Sequence, residues 1–370
     1  MVLEKFARDY LDGYQEQLFH NKWNYTGGCV LMAGKYMYEA TGDASYLKVI
    51  RHFASRYVDE NGTIFGYDPE EHNVDLMCSG KILFPLYDWT GEERFRNGIE
   101  TIMANLREQP RTNEGSFWHK LIYPNQVWLD GLYMAQPFYV EYERRFGAHP
   151  DFQDTLRQFD VVRNRLFDEK KQLYYHGYDE SRQVFWADQE TGCSPSFWLR
   201  SMGWYVMALV DCYDQIMQAG QAAQSLAQLL KEALDGLLRY QDAESCLFYQ
   251  VIDQPDLPGN YLETSGSAMI AYALLKGVRL RMLDAERYAP IGRNILCALE
   301  AGKMRMDHGT LHLKDICRTA GLGPADDLRR NGTPAYYVSE PIVEDNAHGS
   351  AALIMAYSQE RMLSGKGERK

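Results

Sequence analysis

The stretch FWLRSMGWYVMALVDCYDQ, residues 197–215, opens with aromatic and polar residues and then stays apolar around almost every face of a helix. A helix that is apolar all round is typical of a buried position in a large protein. Five other segments share this design, at residues 23–40, 74–91, 127–147, 262–280 and 344–360. The sequence therefore predicts six buried helices that follow one weak internal repeat.

More charged stretches lie between these segments, and in them the apolar residues recur on one side of a helix. They are residues 1–19, 43–60, 92–108, 150–167, 222–241 and 284–303. Each predicts an outer helix with one face in water. Three connectors, TGDASYL from Thr41, TGEERFR from Thr90 and FGAHPDF from Phe146, place a glycine at a helix end and an acid shortly after it. That order is typical of a short turn between two helices.

Six inner and six outer helices in alternation predict an all-α fold, the (α/α)6 barrel, with the inner helices starting at one rim. An open α-solenoid is the alternative, but its concave face would be polar, whereas the inner segments are apolar. Short strand-like pieces, LYYHGYD from Leu173, QVFWAD from Gln183 and LFYQVID from Leu247, are expected to form rim hairpins. Because no linker-like run divides the chain, we expect one domain over residues 1–370.

Composition excludes several classes of partner. The 370 residues carry 39 Lys plus Arg against 51 Asp plus Glu, a net charge of −12, which argues against nucleic acid or an anionic membrane as partner. The chain shows neither a membrane-spanning run nor a secretory signal pattern, so we expect a cytoplasmic protein. Nothing in the sequence marks an exposed apolar patch, and a monomer is the expectation. Its seven cysteines are scattered and no metal-ligand spacing occurs, so no metal or other cofactor is expected.

The unusual polar residues of the inner segments lie at their starts, and therefore at the predicted common rim. They are Asn24, Tyr25, Asn73, Asp75, Gln126, Asp130, Arg200, Glu263, Ser265, Asp345 and His348. Six helix N-termini that face one pocket favour an anion such as a substrate carboxylate. Tyr25 is expected to contact that substrate. An acid at a helix start is also the ordinary N-cap, and each single residue has that alternative.

Asp130 is the candidate catalytic acid. In YPNQVWLDGLYMAQPF, residues 123–138, it stands among Trp128, Leu129 and other large apolar side chains. Burial disfavours the ionised carboxylate, and a general acid needs the protonated form. The alternative is a buried aspartate that bonds neighbouring backbone. Asp75 is a second carboxylate at an equivalent helix start, and paired carboxylates are the groups that perform glycoside hydrolysis.

Two histidines and an arginine complete the candidate set. His119 and His176 lie in loops among aromatic residues, where each either bonds a sugar hydroxyl or is satisfied within the core. Arg200 lies between Trp198 and Trp204, and a buried arginine needs a carboxylate partner from the protein or from the substrate. The 26 Tyr and 7 Trp of the chain suit a sugar pocket, because sugars stack on flat aromatic faces.

Five motifs of the chain carry a resemblance to a known family. They are NVDLMCSGK (73–81), FWHK (117–120), VWLDGLYMAQPF (127–138), LYYHGYDES (173–181) and FWLRSMGWY (197–205). They resemble the unsaturated rhamnogalacturonyl hydrolases, glycoside hydrolase family 105, and next the unsaturated glucuronyl hydrolases of family 88. The resemblance covers nearly the whole chain and implies an (α/α)6 barrel. It also implies removal of a Δ4,5-unsaturated uronic acid from the non-reducing end of a small oligosaccharide made by a lyase.

The resemblance implies hydration of the C4=C5 double bond rather than displacement at the anomeric carbon. Asp130 then protonates C4 and serves as base toward the water that reaches C5. By the same resemblance, Asp75 and His176 hold sugar hydroxyls. It also implies that His119 and Arg200 line the pocket and that Trp198 and Trp204 form stacking walls.

Other readings stay open at this point. They are an unsaturated glucuronyl hydrolase of the family 88 type, a conventional inverting glycosidase, a sugar epimerase and a non-catalytic helical scaffold. The inverting glycosidase needs a second carboxylate, such as Asp75, about 6.5–9.5 Å from the first. An epimerase would more readily use two histidines at inner-helix ends, where only His348 is so placed. The sugar beyond the uronate, the anchor of its carboxylate and the roles of Asp345 and His348 are not identifiable from sequence.

Overall fold

The structure of the protein, a computed structural model, describes residues 2–17 and 22–365. In chain order the α-helices are α1 (Val2–Gln17), α2 (Tyr25–Thr41), α3 (Lys48–Tyr57), α4 (Leu83–Thr90), α5 (Glu93–Arg107), α6 (Leu129–Phe146), α7 (Gln153–Leu166), α8 (Leu199–Gln218), α9 (Gln224–Leu238), α10 (Thr264–Arg279), α11 (Ala285–Lys303), α12 (Pro334–Ser339) and α13 (Ala347–Ser364). Shorter 3-10 helices span Ala44–Leu47, Pro69–Glu71 and Val74–Ile82.

The inner helices form a closed ring. They are α2, the 3-10 helix Val74–Ile82 with α4, then α6, α8, α10 and α13, and each packs against the next. The last of them, α13, packs against the first, α2, so the open solenoid is excluded. Helices α1, α3, α5, α7, α9 and α11 alternate with them on the outside. The predicted (α/α)6 barrel is confirmed.

Burial follows the predicted hydrophobic pattern. All residues of α10 from Thr264 to Val278 are buried, whereas the outer helix α11 buries one face, with residues such as Ile295 and Leu299. The same contrast separates α8 from α9. A side chain that points inward from any inner helix therefore lies in the core or at the rim of the barrel.

The second inner helix differs from the regular α-helix that its pattern predicts. Its first nine residues, Val74–Ile82, wind as a 3-10 helix, which is narrower than an α-helix. Its neighbours are very close here: a Cβ on Gly80 would lie 2.7 Å from Ile102, and a Cβ on Gly28 would lie 2.7 Å from Ser79. Tight packing against small residues accompanies the narrower winding.

Two of the three predicted glycine turns are confirmed. Gly42 and Gly91 close α2 and α4 with φ of 74° and 69°, in the left-handed region that favours glycine. Gly147, after α6, is instead extended, with φ of −65°. Asp43 caps the following 3-10 helix by accepting from Ser45 N, as a helix-starting acid is expected to do.

Four short antiparallel strand pairs lie in the segments between the described helices. They are β1 (Gln126–Trp128) with β4 (Gly177–Asp179), β2 (Phe167–Asp168) with β3 (Leu173–Tyr174), β5 (Met304–Asp307) with β6 (Thr310–Leu313), and β7 (Ile316–Cys317) with β8 (Ile342–Val343). The prediction for residues 183–188 is wrong, because they form turns, and residues 247–253 make isolated bridges rather than a hairpin. No helix of the described residues is long and apolar enough to cross a membrane.

Candidate active site

A strand pair places Asp130 beside His176. Strand β1 runs directly into α6, and its Trp128 pairs with Gly177 of β4. Leu129 N then donates to His176 O at 3.0 Å. Gly177 has no side chain at this crossing, where a Cβ would lie 2.8 Å from the Trp128 ring and 2.9 Å from Val127 O. Two segments far apart in sequence are thereby joined at the start of an inner helix.

Asp130 makes no N-cap bond to its helix. Trp128 occupies the N-cap position of α6, and no side chain caps that end. Oδ2 of Asp130 lies 3.0 Å from Nε2 of His176. The two atoms are not aligned for a hydrogen bond, and neither has another partner among the described residues. Catalytic groups are often loosely aligned before substrate binds, so this buried carboxyl is available for chemistry.

Asp75 has a different electrostatic setting. Oδ2 lies 2.7 Å from Lys120 Nζ, and Oδ1 lies 3.4 Å from His119 Nε2. Burial works to raise the pKa of Asp75, but the charges of Lys120 and His119 outweigh it and lower that pKa below its usual value. The cap of this 3-10 helix is Asn73, which accepts from Asp75 N. Asp75 is therefore an ionised carboxylate at the rim.

His119 is held flat against Trp128. The ring centroids of His119 and Trp128 are 4.2 Å apart and their planes are nearly parallel, and Tyr123 stacks on Trp128 at 4.8 Å and on His119 at 6.2 Å. Burial lowers the pKa of His119 to about 4, although Asp75 opposes the shift. Gly131 allows this position, because a Cβ there would lie 3.0 Å from His119 Nδ1. The imidazole is thus neutral near pH 7 and serves as a hydrogen-bonding group.

Arg200 is buried without a carboxylate partner. Its Nη1 donates to Cys317 O at 2.5 Å and to Ser265 Oγ at 3.3 Å. In the part of the chain that the structure describes, no acidic side chain lies within ion-pair distance of it. Glu263 instead caps α10 and accepts from Ser265. The sequence left open whether the carboxylate partner of Arg200 comes from the protein or from the substrate, and the described residues supply no carboxylate in direct contact.

Tyr25 joins the first inner helix to the last. Its hydroxyl lies 2.7 Å from Nε2 of His348. Burial raises the pKa of Tyr25, and the nearby carboxylates of Asp75 and Asp130 add to the shift while Arg200 opposes it. Burial and the charge of Arg200 lower the pKa of His348. The mutual influence of these groups indicates that the starts of five inner helices meet in one place.

Trp198 directly precedes α8 and Trp204 lies within it, and each stacks on a tyrosine. Trp198 stacks on Tyr337 with centroids 5.6 Å apart and planes 9° apart, and Trp204 stacks on Tyr133 at 4.8 Å. Each is at most 2% exposed. The Trp198 ring contacts the ring of His176, with centroids 4.8 Å apart, and the Trp204 ring contacts the ring of Tyr25 at 6.3 Å. Direct stacking on a sugar stays a prediction for both.

The remaining polar residues of the predicted rim have structural partners. Asn24 caps α2, Gln126 accepts from Trp128 Nε1 at 3.0 Å, and Asp345 lies 2.6 Å from His312 and accepts from Leu313 N. Of these three residues only Asn24 is the N-cap that the alternative reading expected, whereas Asn346 caps α13 in place of Asp345. No group of three His, Cys, Asp or Glu that could hold a metal ion occurs within the described ranges.

Sequence reasoning missed two residues of the site. Lys120 directly follows the candidate residue His119 in the FWHK motif, and this neighbourhood was the only sequence feature that could have indicated it. Tyr337 contacts His176 with a hydroxyl 2.7 Å from Nδ1, and 161 residues separate the two. No local sequence pattern predicts a contact between residues so far apart in the chain.

Comparison with known proteins identifies the family of the chain. A sequence model of Glycosyl Hydrolase Family 88 matches residues 2–363. A solved glycoside hydrolase of family 105 from C. acetobutylicum is 40% identical, over 96% of this chain and 98% of that one, with a TM-score of 0.91. The 24.9 kDa protein in the picA locus of Rhizobium radiobacter is 40% identical over 235 residues, which are 62% of this chain and 100% of that protein.

A further relative carries an activity in its name. The unsaturated rhamnogalacturonyl hydrolase YesR of Bacillus subtilis is 28% identical over 264 residues, 70% of this chain and 72% of that protein. The match to the family model spans almost all of the described residues. The chain therefore belongs to the related glycoside hydrolase families 88 and 105 and is a hydrolase of oligosaccharides.

Proposed function

We propose that the protein removes a Δ4,5-unsaturated uronic acid from the non-reducing end of oligosaccharides left by a polysaccharide lyase. Asp130 acts as general acid and base in hydration of the C4=C5 double bond. The sugar next to the uronate is rhamnose, as in fragments of rhamnogalacturonan. The name of the Bacillus subtilis relative supports that substrate.

The observation that carries this proposal is the contrast between the two rim carboxyls. Asp75 is paired with Lys120 at 2.7 Å, and its lowered pKa keeps it ionised. Asp130 faces His176 at 3.0 Å and has no Lys or Arg within ion-pair distance in the described chain. Paired carboxyls in different environments divide acid and acceptor roles between them. One proton donor and one fixed anion suit hydration, which needs no covalent nucleophile.

The proposed reaction balances as the addition of one water. Asp130 gives its proton to C4, and the positive charge that develops at C5 is shared with the ring oxygen. Water adds to C5, and its proton returns to Asp130. The resulting hemiketal opens to a ketone at C5, which frees the oxygen on C1. That C1 hemiacetal then collapses to an aldehyde and releases the next sugar with its hydroxyl restored.

Arg200 is the proposed anchor of the uronate carboxylate. It is a buried guanidinium that lacks an acidic partner of its own, and its charge acts on Tyr25 and His348 at the same rim. Arginine binds a carboxylate through two parallel hydrogen bonds. In the proposed complex Asp75 accepts from a ring hydroxyl, while His119 and Tyr25 complete the polar wall. His176, whose two ring nitrogens face Tyr337 and Asp130, acts through Asp130.

The test follows the ultraviolet absorbance of the conjugated C4=C5–carboxylate group. The protein is mixed with the unsaturated disaccharide that rhamnogalacturonan lyase produces, and free rhamnose is measured in parallel. We expect the absorbance to disappear as rhamnose is released, and the matching saturated disaccharide to be inert. Release from the saturated sugar would overturn the hydration proposal in favour of a conventional glycosidase. If only unsaturated glucuronyl disaccharides were turned over, the hydration mechanism would stand, but rhamnose would be wrong as the sugar next to the uronate.

A further inference from the structure

Tyr337 reaches the candidate acid through a histidine. The short helix α12 carries its hydroxyl to 2.7 Å from Nδ1 of His176, whose Nε2 lies 3.0 Å from Oδ2 of Asp130. Tyr337 and His176 are both fully buried. Three side chains from three separate segments thus form a line that ends at Asp130.

Only one direction of hydrogen bonding gives the hydroxyl hydrogen of Tyr337 an acceptor, namely donation from Tyr337 to His176. A tyrosine hydroxyl has one hydrogen to donate, and a neutral imidazole has one N–H and one acceptor nitrogen. The Tyr337 hydroxyl has no other side-chain partner in the described chain than His176 Nδ1. If Nδ1 carried the hydrogen, the buried hydroxyl hydrogen would have no acceptor, and the Nε2 lone pair would compete with C4 for the proton that Asp130 is proposed to give. With Tyr337 donating, Nε2–H points toward Asp130.

Tyr337 itself is rigidly placed. Its N donates to Thr333 O at 3.2 Å, and its O accepts from Gln250 Nε2 at 3.3 Å. Its ring lies parallel to Trp198 at 5.6 Å. The hydroxyl therefore has little freedom to leave His176, and a change that removes only the hydroxyl leaves the ring packing intact.

We propose that Tyr337 is a positioning residue that holds His176 in the Nε2–H tautomer, and that this N–H orients the carboxyl of Asp130. Oδ2 is a fully buried oxygen of that carboxyl, so the hydrogen bond that Nε2–H makes to it once the pair aligns on substrate binding leaves Oδ1 to exchange the proton with substrate. The same N–H stabilises the carboxylate after the proton has been given away. The catalytic consequence rests on the proposed function, whereas the tautomer does not.

The experiment compares two neighbouring tyrosines. Tyr337→Phe keeps the ring and removes the hydroxyl that faces His176. Tyr336→Phe is the matched control, because its hydroxyl accepts from Gly321 N at 3.0 Å and does not contact His176. Nitrogen NMR of imidazole-labelled protein reports the tautomer of each histidine, and His176→Gln identifies the signals of His176 among the nine histidines.

We expect His176 to be an Nε2–H tautomer in the wild type and in Tyr336→Phe, and to lose that preference in Tyr337→Phe. We also expect kcat of Tyr337→Phe to fall about 10- to 100-fold with KM within about twofold, the size of effect that misplacing a catalytic group has. An Nδ1–H tautomer in the wild type, or an unchanged tautomer in Tyr337→Phe, would overturn the proposal. An unchanged kcat would overturn its catalytic part.

Failure of this proposal is distinguishable from failure of the proposed function. The NMR comparison needs no substrate, so it decides the tautomer whichever sugar the enzyme accepts. A purely structural role of Tyr337 predicts equal tautomers and equal kcat in the two phenylalanine variants, together with a lower thermal midpoint. The split between kcat and KM then separates positioning of Asp130 from loss of substrate binding.

Discussion

Lys120 Nζ lies 2.7 Å from Oδ2 of Asp75, whereas no Lys or Arg of the described residues lies within ion-pair distance of Asp130. Both carboxyls are largely buried, with 13% of the Asp75 side chain and 12% of the Asp130 side chain exposed. Lys120 lowers the pKa of Asp75 against the effect of burial. Burial also works to lower the pKa of Lys120, but the charge of Asp75 outweighs it and raises that pKa. The ammonium therefore holds Asp75 as an anion.

Replacing Lys120 should move the pH dependence of substrate capture. In Lys120→Met the pKa of Asp75 is no longer lowered by the ammonium, so Asp75 takes up a proton at higher pH. The acid limb of kcat/KM is then expected to shift upward by about one pH unit, within the range that one neighbouring charge produces. The measurement is a pH profile of kcat/KM with the unsaturated disaccharide. Lys120→Arg keeps the charge and should keep the limb, and an unmoved limb in Lys120→Met would contradict this role.

Asp130→Asn should abolish turnover while leaving the protein folded. An amide is nearly the same size as the carboxyl but has no proton to give to C4, and loss of a general acid typically costs about 10²- to 10⁴-fold in kcat. Substrate binding by calorimetry should persist, because Arg200 and Asp75 remain. Absorbance loss at the C4=C5 band measures kcat.

A second aspartate provides the matched control for Asp130. Asp345 also stands at an inner-helix start but bonds His312 and Leu313 N. Asp345→Asn should therefore keep kcat even if the protein becomes less stable. Equal kcat in Asp130→Asn and the wild type would remove Asp130 from the chemistry.

Arg200→Met should weaken binding of the substrate through its carboxylate. Hydrogen bonds between charged groups are worth about 1.5–3 kcal/mol, so KM should rise about 10- to 100-fold. Because Arg200 also donates to Cys317 O and Ser265, the variant loses stability as well, and a second measurement is needed. The wild type should prefer the free uronate over its methyl ester, and Arg200→Met should lose that preference. A preference that survived in Arg200→Met would place the anchor elsewhere.

The barrel was predictable because its cause is spread over many residues. Six segments that are apolar all round and six that are apolar on one face leave few arrangements, and neighbouring turns such as Gly42 and Gly91 fix the alternation. The 3-10 winding of Val74–Ile82 was not predictable, because it accompanies the close approach of Gly80 to Ile102 of the outer helix α5. Local sequence carries no measure of that distance.

The sequence predicted several residues of the candidate site but not the contacts between them. Asp130, Asp75 and Arg200 stand at helix starts, so a common rim brings them together once the barrel closes. Lys120 and Tyr337 reach the site from loops and a short helix, and their importance depends on partners 45 and 161 residues away, respectively, in the chain. Such pairs are set by tertiary packing, which one sequence does not display.

Stability should fall as the pH is lowered from about 6.5 to about 4, in part through His119. Its pKa is lowered to about 4 in the fold against an ordinary value of 6.5, so the unfolded chain binds a proton over this interval while the folded protein does not. The free energy of unfolding then decreases with falling pH, by about 3 kcal/mol for this shift. Below about pH 4 both states are protonated and this contribution is lost. Urea unfolding at a series of pH values should show a shallower decrease in His119→Gln. His308, whose side chain is 98% exposed, provides the control, and a decrease as steep in His119→Gln as in His308→Gln would contradict the assignment.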